Sequence, residues 1–420
     1  MKIKAIIVVL FCLFGVNAMA QTDAEQVDVE QAVSEQTVDE KASKVEIGVV
    51  KDFQASFVSP LGSNWVESHL ITNKVSFNLL GGHSYGNLYF EFGGLYNINL
   101  YLTRGFHMAG VFNYSGNTEN AVQFSGVSNI AMGGNAVVQF AGVTNIAKDS
   151  TTQFGAVSNI SYGNSILQMG GIANIAKEST VQLAGLSNIT AGPAGTQMSG
   201  LFNYSKGAAF QSAGILNVSD GTVGTQMSPL LNVAKEVNGL QLGLINSSEI
   251  MNGVPIGFIN IVKNGGKHDF EVSSSESLNT LVSFKFGAKK FYTILSGAIN
   301  YIGEPKVFAA GLGFGTYSDW IAGWGNSVEL VCYDIFREEE WQNDVNMINQ
   351  LKIMVSKQFG DYFKVFAGPV FSFSISRHEN DDGKIGTTVT PPWSSIWKKE
   401  DDKMILNSWI GFEAGVGICL

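Results

Sequence analysis

Five lysines recur at an almost fixed interval: Lys148, Lys177, Lys206, Lys235 and Lys263 are separated by 29, 29, 29 and 28 residues. Ammonium groups repeated along one edge of a regular structure can bind a row of anions, such as lipid phosphates or another anionic ligand. The plainer role for the same pattern is interfacial snorkelling or protection of turns. Other chemistry is harder to find. The five histidines (His69, His83, His107, His268, His378) are scattered, with no H-E-x-x-H motif and no Cys/His pairing, so a metal site is not expected. His378-Glu379-Asn380-Asp381-Asp382 could offer oxygens to a divalent cation, but reads first as a solvated turn. Gly311-Leu312-Gly313-Phe314-Gly315 lacks both the spacing and the following helix of a phosphate cradle. No G-x-S-x-G elbow is present. The expectation is a protein without catalytic residues, cofactor or metal.

The elements that carry the lysines are strands. Asparagines recur at Asn97, Asn113, Asn129, Asn145, Asn159, Asn174, Asn188, Asn203, Asn217, Asn232, Asn246 and Asn260, spaced by 14 to 16 residues. In most copies a glutamine stands six positions before the asparagine and a glycine three before, giving Gln-Φ-small-Gly-Φ-x-Asn-Φ-small with Φ apolar. A short fixed period signals units that bury their apolar face only against their neighbours. Glycine and β-branched residues fill the positions where a helix would want Ala or Leu, so the units are β. The lysines follow every second asparagine by three residues, with Met132, Tyr162, Ala191, Asp220 and Glu249 in the intervening copies. That alternation fits a two-strand period, as in a hairpin meander. A β-solenoid would also give it. Apolar positions three apart, as in Leu183, Leu186 and Ile189, suit a bulge or a solenoid corner.

Towards the C-terminus the pattern becomes strictly two-residue. Ile410, Phe412, Ala414, Val416, Ile418 and Leu420 alternate with small or polar residues, as do Phe363, Val365, Ala367, Pro369, Phe371, Phe373 and Ile375. Phe308, Ala310, Leu312 and Phe314, and Val282, Phe284, Phe286 and Ala288, repeat the pattern. About ten residues of such alternation is the mark of a transmembrane β-strand, although a soluble sandwich shares it. Tyr317, Trp320, Trp324, Phe359, Tyr362 and Trp409 fit an interfacial aromatic girdle. Charge collects in two intervening loops, Arg337 to Asp344 and Arg377 to Lys403.

Composition agrees. Only 15% of the 420 residues are charged, against roughly 25% in soluble domains. The 28 Phe, 12 Tyr and 7 Trp exclude a disordered chain, and a net charge of −10 argues against a nucleic-acid partner. Lys2 and Lys4, the apolar run Ala5 to Val16 and Ala18-Met19-Ala20 read as a signal peptide over residues 1–20. Its removal takes two lysines and no acid, moving the net charge to −12 and leaving only Cys332 and Cys419 as cysteines. Residues 21–45 read as an acidic flexible tail. The remaining organisation is N-terminal strands at 46–92, twelve repeats at 93–263 and barrel-type strands with long polar loops at 264–420.

The Gln-Φ-small-Gly-Φ-x-Asn repeats, preceded by Asn73-Lys74-Val75-Ser76-Phe77-Asn78-Leu79-Leu80-Gly81-Gly82 and followed by Asn349-Gln350-Leu351 and Tyr362-Phe363-Lys364-Val365-Phe366-Ala367-Gly368-Pro369, resemble the surface-repeat outer-membrane proteins of Gram-negative bacteria. The resemblance spans roughly residues 50 to 420 and implies an outer-membrane or cell-surface location with no assigned chemistry. The chain departs from barrel proteins of this type in ending Cys419-Leu420 instead of in an aromatic residue. The expected fold is all-β, an outer-membrane-type antiparallel barrel or meander on the order of 22 to 24 strands, with a β-solenoid joined to barrel-type strands as the alternative. The expected function is structural or surface-interacting, extending to a passive pore, with outer-membrane lipid as the partner. A solenoid adhesin and a hydrolase with a loop-borne active site are the rivals.

Overall fold

In a computed structural model the described residues are 48–301, 307–337, 345–377, 389, 395–401 and 403–420. The signal peptide, the acidic tail, Glu338 to Asp344 and the His378 to Asp382 turn lie outside them. The described chain is β throughout, apart from two short 3-10 turns at Trp65–Leu70 and Ile321–Gly323.

The repeats form a parallel stack, so the solenoid alternative is the arrangement they adopt. Asn145 aligns with Asn159, Asn159 with Asn174 and Asn174 with Asn188, every pairing parallel. One repeat closes one coil, and it does so with two arms. Ala173–Ala184, for example, pairs through its first arm with Ser187–Thr190 and through its second with Ala194–Ser199. The alternating residues three positions after each asparagine therefore stand on successive coils at a single edge. A meander would reverse each strand and bring identical residues together only once per pair. Parallel stacking superposes every copy on the next.

What stacks is polar. Each asparagine from Asn97 to Asn246 donates its side-chain amide to the next one's Oδ1 at 2.9 to 3.0 Å. Most also donate to a carbonyl of the following repeat, such as Asn188 to Met198 O at 2.8 Å. A parallel ladder of nine glutamines, Gln123 to Gln241, is joined at 2.8 Å in the opposite sense, each donating to the glutamine before it. These amides are buried together with Ala131, Ala147, Ala176, Ser150 and Ser179. A buried amide without partners costs about 1–3 kcal/mol, so a polar interior holds because the ladder gives its amides partners on the neighbouring coils, the terminal Gln241 Oε1 excepted.

The C-terminal strands close an eight-stranded antiparallel barrel. Its strands are Lys267–Ser275, Thr280–Ala288, Phe291–Asn300, Val307–Asp319, Trp324–Arg337, Asn346–Phe359, Phe363–Ser376 and Met404–Cys419. The last pairs with both the seventh and the first, which closes the ring. The expected loop from Arg377 to Lys403 contains one further strand, Ser395–Asp401, paired with Met404–Trp409. At one rim the connections are short, at 289–290, 320–323 and 360–362. The connections 276–279, 301–306, 338–345 and 377–403 join the strands at their opposite ends.

The solenoid ends against the outer wall of this barrel, close to the short-turn rim. Asn260, the last rung, donates to Thr293 Oγ1 at 3.1 Å, and Thr293 donates to Gly257 O at 3.0 Å. Thr293 occupies an outward position, opposite the exposed Phe314. Phe286 and Ala288 also occupy outward positions, but are buried where the coil Ile259–Asn264 packs on their strand.

Candidate lipid-facing surface

Barrel and solenoid both turn rows of apolar side chains outward; inside, the solenoid is lined by amides, and the barrel holds charged groups beside an apolar cluster that includes Leu281, Ile294, Val331, Ile335 and Ile348. In the barrel the outward positions are those marked by the two-residue alternation. Val282, Phe284, Leu312, Phe314, Phe371, Ile410, Phe412, Val416 and Ile418 are all exposed. The inward positions hold a balanced ion network. Lys285 Nζ lies 2.7 Å from Glu271 and 2.5 Å from Glu329. Lys364 reaches Asp269 at 2.5 Å and Glu271 at 2.6 Å, Lys267 reaches Asp269 at 2.5 Å, and Lys352 reaches Glu413 at 2.6 Å. Tyr292 donates to Glu329 at 2.7 Å and Ser273 to Glu413 at 2.7 Å. Four lysines face four carboxylates, none more than 8% exposed. Isolated buried charges cost several kcal/mol each, and the mutual pairing offsets that penalty. Sequence reading missed this network, because single lysines and acids on different strands converge only once the barrel closes.

The six strand-end aromatics divide into two groups. Trp320, Trp324, Phe359 and Tyr362 are exposed at the short-turn rim. Tyr317 and Trp409 belong elsewhere. Trp409 is fully buried and donates to Glu276 Oε1 at 3.0 Å, and the Lys267 ammonium lies 4.2 Å from the centre of the Tyr317 ring. Both face inward, where their polar atoms find partners.

The solenoid has two unlike edges. One carries Gly-Φ pairs, with Val111, Val127, Val143, Val157, Ile172, Leu201 and Ile215 in line and all exposed. A second exposed row, Met108, Phe140, Met169 and Met198, runs beside it, with Phe124, Phe140 and Phe154 stacked at 4.8 and 4.6 Å. Along this second row runs a shallow groove floored by small residues. It measures about 670 Å³ from Met108 to Met169, and a further stretch of about 560 Å³ runs on from Met169 past Leu183 to Met198. Several floor positions leave no room for a side chain: a Cβ on Gly142 would stand 2.0 Å from Gly126 O of the preceding coil.

The opposite edge is polar. Every Asp, Glu, Lys and Arg between residues 93 and 264 falls three to seven positions after its coil's asparagine, at the bend on that side. The structure aligns Lys148, Lys177, Lys206, Lys235 and Lys263 there, all exposed, on every second coil. With coils about 4.8 Å apart, successive lysines are about 10 Å apart. The edge is not purely basic: Asp149, Glu178 and Glu236 directly follow three of the lysines, and Lys263 lies 3.6 Å from Glu249.

One buried pair escaped the sequence reading. Glu91 and His107 occupy the glutamine position of the first two repeats, six residues before Asn97 and Asn113, and that spacing was the available signal. Glu91 accepts from Asn78 and Asn99, and His107 Nδ1 lies 3.2 Å from Glu91 Oε2, both side chains being buried. Among the described residues no group of three or more His, Cys, Asp or Glu is placed to hold a metal ion. Comparison of the chain with protein-family models, with curated proteins and with solved structures finds no match in any of the three.

Proposed function

We propose that this protein is a non-enzymatic outer-membrane or cell-surface protein of a Gram-negative bacterium, in which the barrel is a membrane-spanning anchor and the solenoid is the surface through which it interacts. The observation that carries the reading is the apolar outer wall of the barrel, which stands over buried charged groups. A soluble barrel packs apolar side chains inside and shows polar ones to water. Here Lys285, Glu271 and Glu329 are inside while Phe284, Leu312 and Phe412 are outside, as expected of a wall facing lipid. The signal-peptide reading and the resemblance to surface-repeat outer-membrane proteins point the same way.

An anchor fits better than a passive pore. The lumen is occupied by paired lysines and carboxylates together with Tyr292, Tyr333, Phe366 and Trp409, and these leave no wide aqueous path. Two measurements check this. The protein should be recovered with outer membranes and should migrate faster on an unboiled gel than after boiling. In planar bilayers it should show no steady ion conductance. Recovery in a soluble fraction without a heat-dependent shift would remove the anchor reading, and large uniform conductance steps would restore the pore.

A further inference from the structure

We infer that the solenoid lies along the membrane surface, with its apolar edge sunk among the acyl chains of the leaflet that meets the barrel's short-turn rim. The inference rests on the reading that the barrel spans a membrane and adds where the solenoid sits. Three observations carry it.

The first is direction. The amide ladder marks the solenoid axis, and it ends side-on at the barrel wall, where Asn260 meets Thr293. An axis that runs into the outer wall of a spanning barrel extends sideways, along the membrane.

The second is which edge faces which way. Lys290, in the short turn at the rim itself, donates to Asn252 O on the polar edge at 2.6 Å. Thr293, about 10 Å further up the wall at roughly 3.3 Å per residue, meets Gly257 at the start of the apolar edge. The next outward positions on the wall, Leu295 and Phe284, are exposed and apolar. The polar edge therefore lies level with the rim, while the apolar edge is turned towards the middle of the barrel's apolar band and continues it laterally. Across the barrel, Trp320, Trp324, Phe359 and Tyr362 mark the same rim.

The third is the chemistry of the edge. No charged side chain stands on it. Its backbone is already paired from coil to coil, with Val143 N to Val127 O at 3.0 Å, Ile172 N to Val157 O at 2.8 Å and Leu201 N to Leu186 O at 2.9 Å. A peptide strand would find no open sheet edge to extend. Acyl chains need no hydrogen bonds, and a groove lined mainly by Phe, Met, Ala and Gly, flanked by the exposed Val, Ile and Leu row, suits them. The arrangement is the β counterpart of an amphipathic interfacial helix.

Nitroxide labels test it in the full-length protein folded into vesicles of phosphatidylethanolamine and phosphatidylglycerol. The background carries Cys12→Ser, Cys332→Ser and Cys419→Ser. Single labels are placed through Ile172→Cys and Leu201→Cys on the apolar edge, Lys177→Cys and Lys206→Cys on the polar edge, and Leu312→Cys on the barrel wall. Collision rates with oxygen and with a water-soluble nickel chelate are compared. The expected result is a several-fold higher oxygen-to-nickel ratio at 172, 201 and 312 than at 177 and 206. A lipid-like signal at 312 with nickel-accessible labels at 172 and 201 overturns this inference and leaves the anchor reading standing. Nickel access at 312 itself overturns the anchor reading, and this one with it. Labels at 172 and 201 shielded from both agents, with spectra broadened by a nearby second spin, would assign the edge to another copy of the chain and overturn the lipid assignment.

Discussion

Asparagine is a poor choice for a buried position unless every donor and acceptor is met, and the ladder meets them with copies of itself. Asn188 accepts from Asn174 and donates to Asn203 and to Met198 O, so removing its amide strands groups on both neighbouring coils. Asn188→Ala should destabilise the stack by about 3 kcal/mol, at about 1–3 kcal/mol per unsatisfied group. Amide hydrogen exchange should accelerate most in the coils bearing Asn174, Asn188 and Asn203, and exchange unchanged there would show that the ladder is not what holds the interior. Tyr204 makes a second local prediction. Burial, followed by its 2.7 Å hydrogen bond to the Asp220 carboxylate, pushes its phenol up to about 12. A raised value means that the protonated phenol is favoured by folding. Its contribution is complete below the unfolded value of about 10 and lost as pH rises towards about 12. Between those limits Tyr204→Phe should flatten the fall in urea-unfolding stability seen in the parent protein, and identical slopes would discount the Asp220 contact.

Each coil repeats one sentence of sequence, and the two edges follow from where its polar and apolar words fall. The lysines stand at the bend between the two arms, alternating with Met132, Tyr162, Ala191, Asp220 and Glu249. Replacing all five lysines with glutamine should weaken binding of the folded protein to vesicles rich in anionic lipid or to lipopolysaccharide, read by co-sedimentation. Equal binding would mean that the row only solubilises the edge, a role that the neighbouring Asp149, Glu178 and Glu236 also serve. The period, the β character and the existence of an edge bearing these lysines were all legible in the spacing. Parallel closure was less so, because a meander and a coil share the same period and differ only in whether successive arms reverse. The amide ladder decides it: in-register stacking gives every Asn and Gln its own kind as partner, and antiparallel pairing would separate them.

At the level of the molecule, two modules with opposite hydrogen-bonding logic have the same solvent preference. The barrel pairs its strands antiparallel around a core that is part ionic and part apolar, and the solenoid stacks its coils in parallel around an amide core, yet both turn rows of apolar side chains outward. Fractionation, heat-dependent migration and nitroxide accessibility address that shared polarity directly. Sequence by itself determined the all-β class, the unit length, the sites where glycine and asparagine recur, and the strand faces in the last third, since alternation and period are local properties written in consecutive residues. It did not determine that Tyr317 and Trp409 turn inward, that Lys285 meets Glu271 and Glu329, or that only eight strands close the barrel. Nor did it show that the ladder ends on Thr293. Those facts depend on contacts between residues tens to over a hundred positions apart. Only closure of the barrel and docking of the last coil on its wall bring such residues together, and an apolar edge acquires a direction only once it is fixed against that wall.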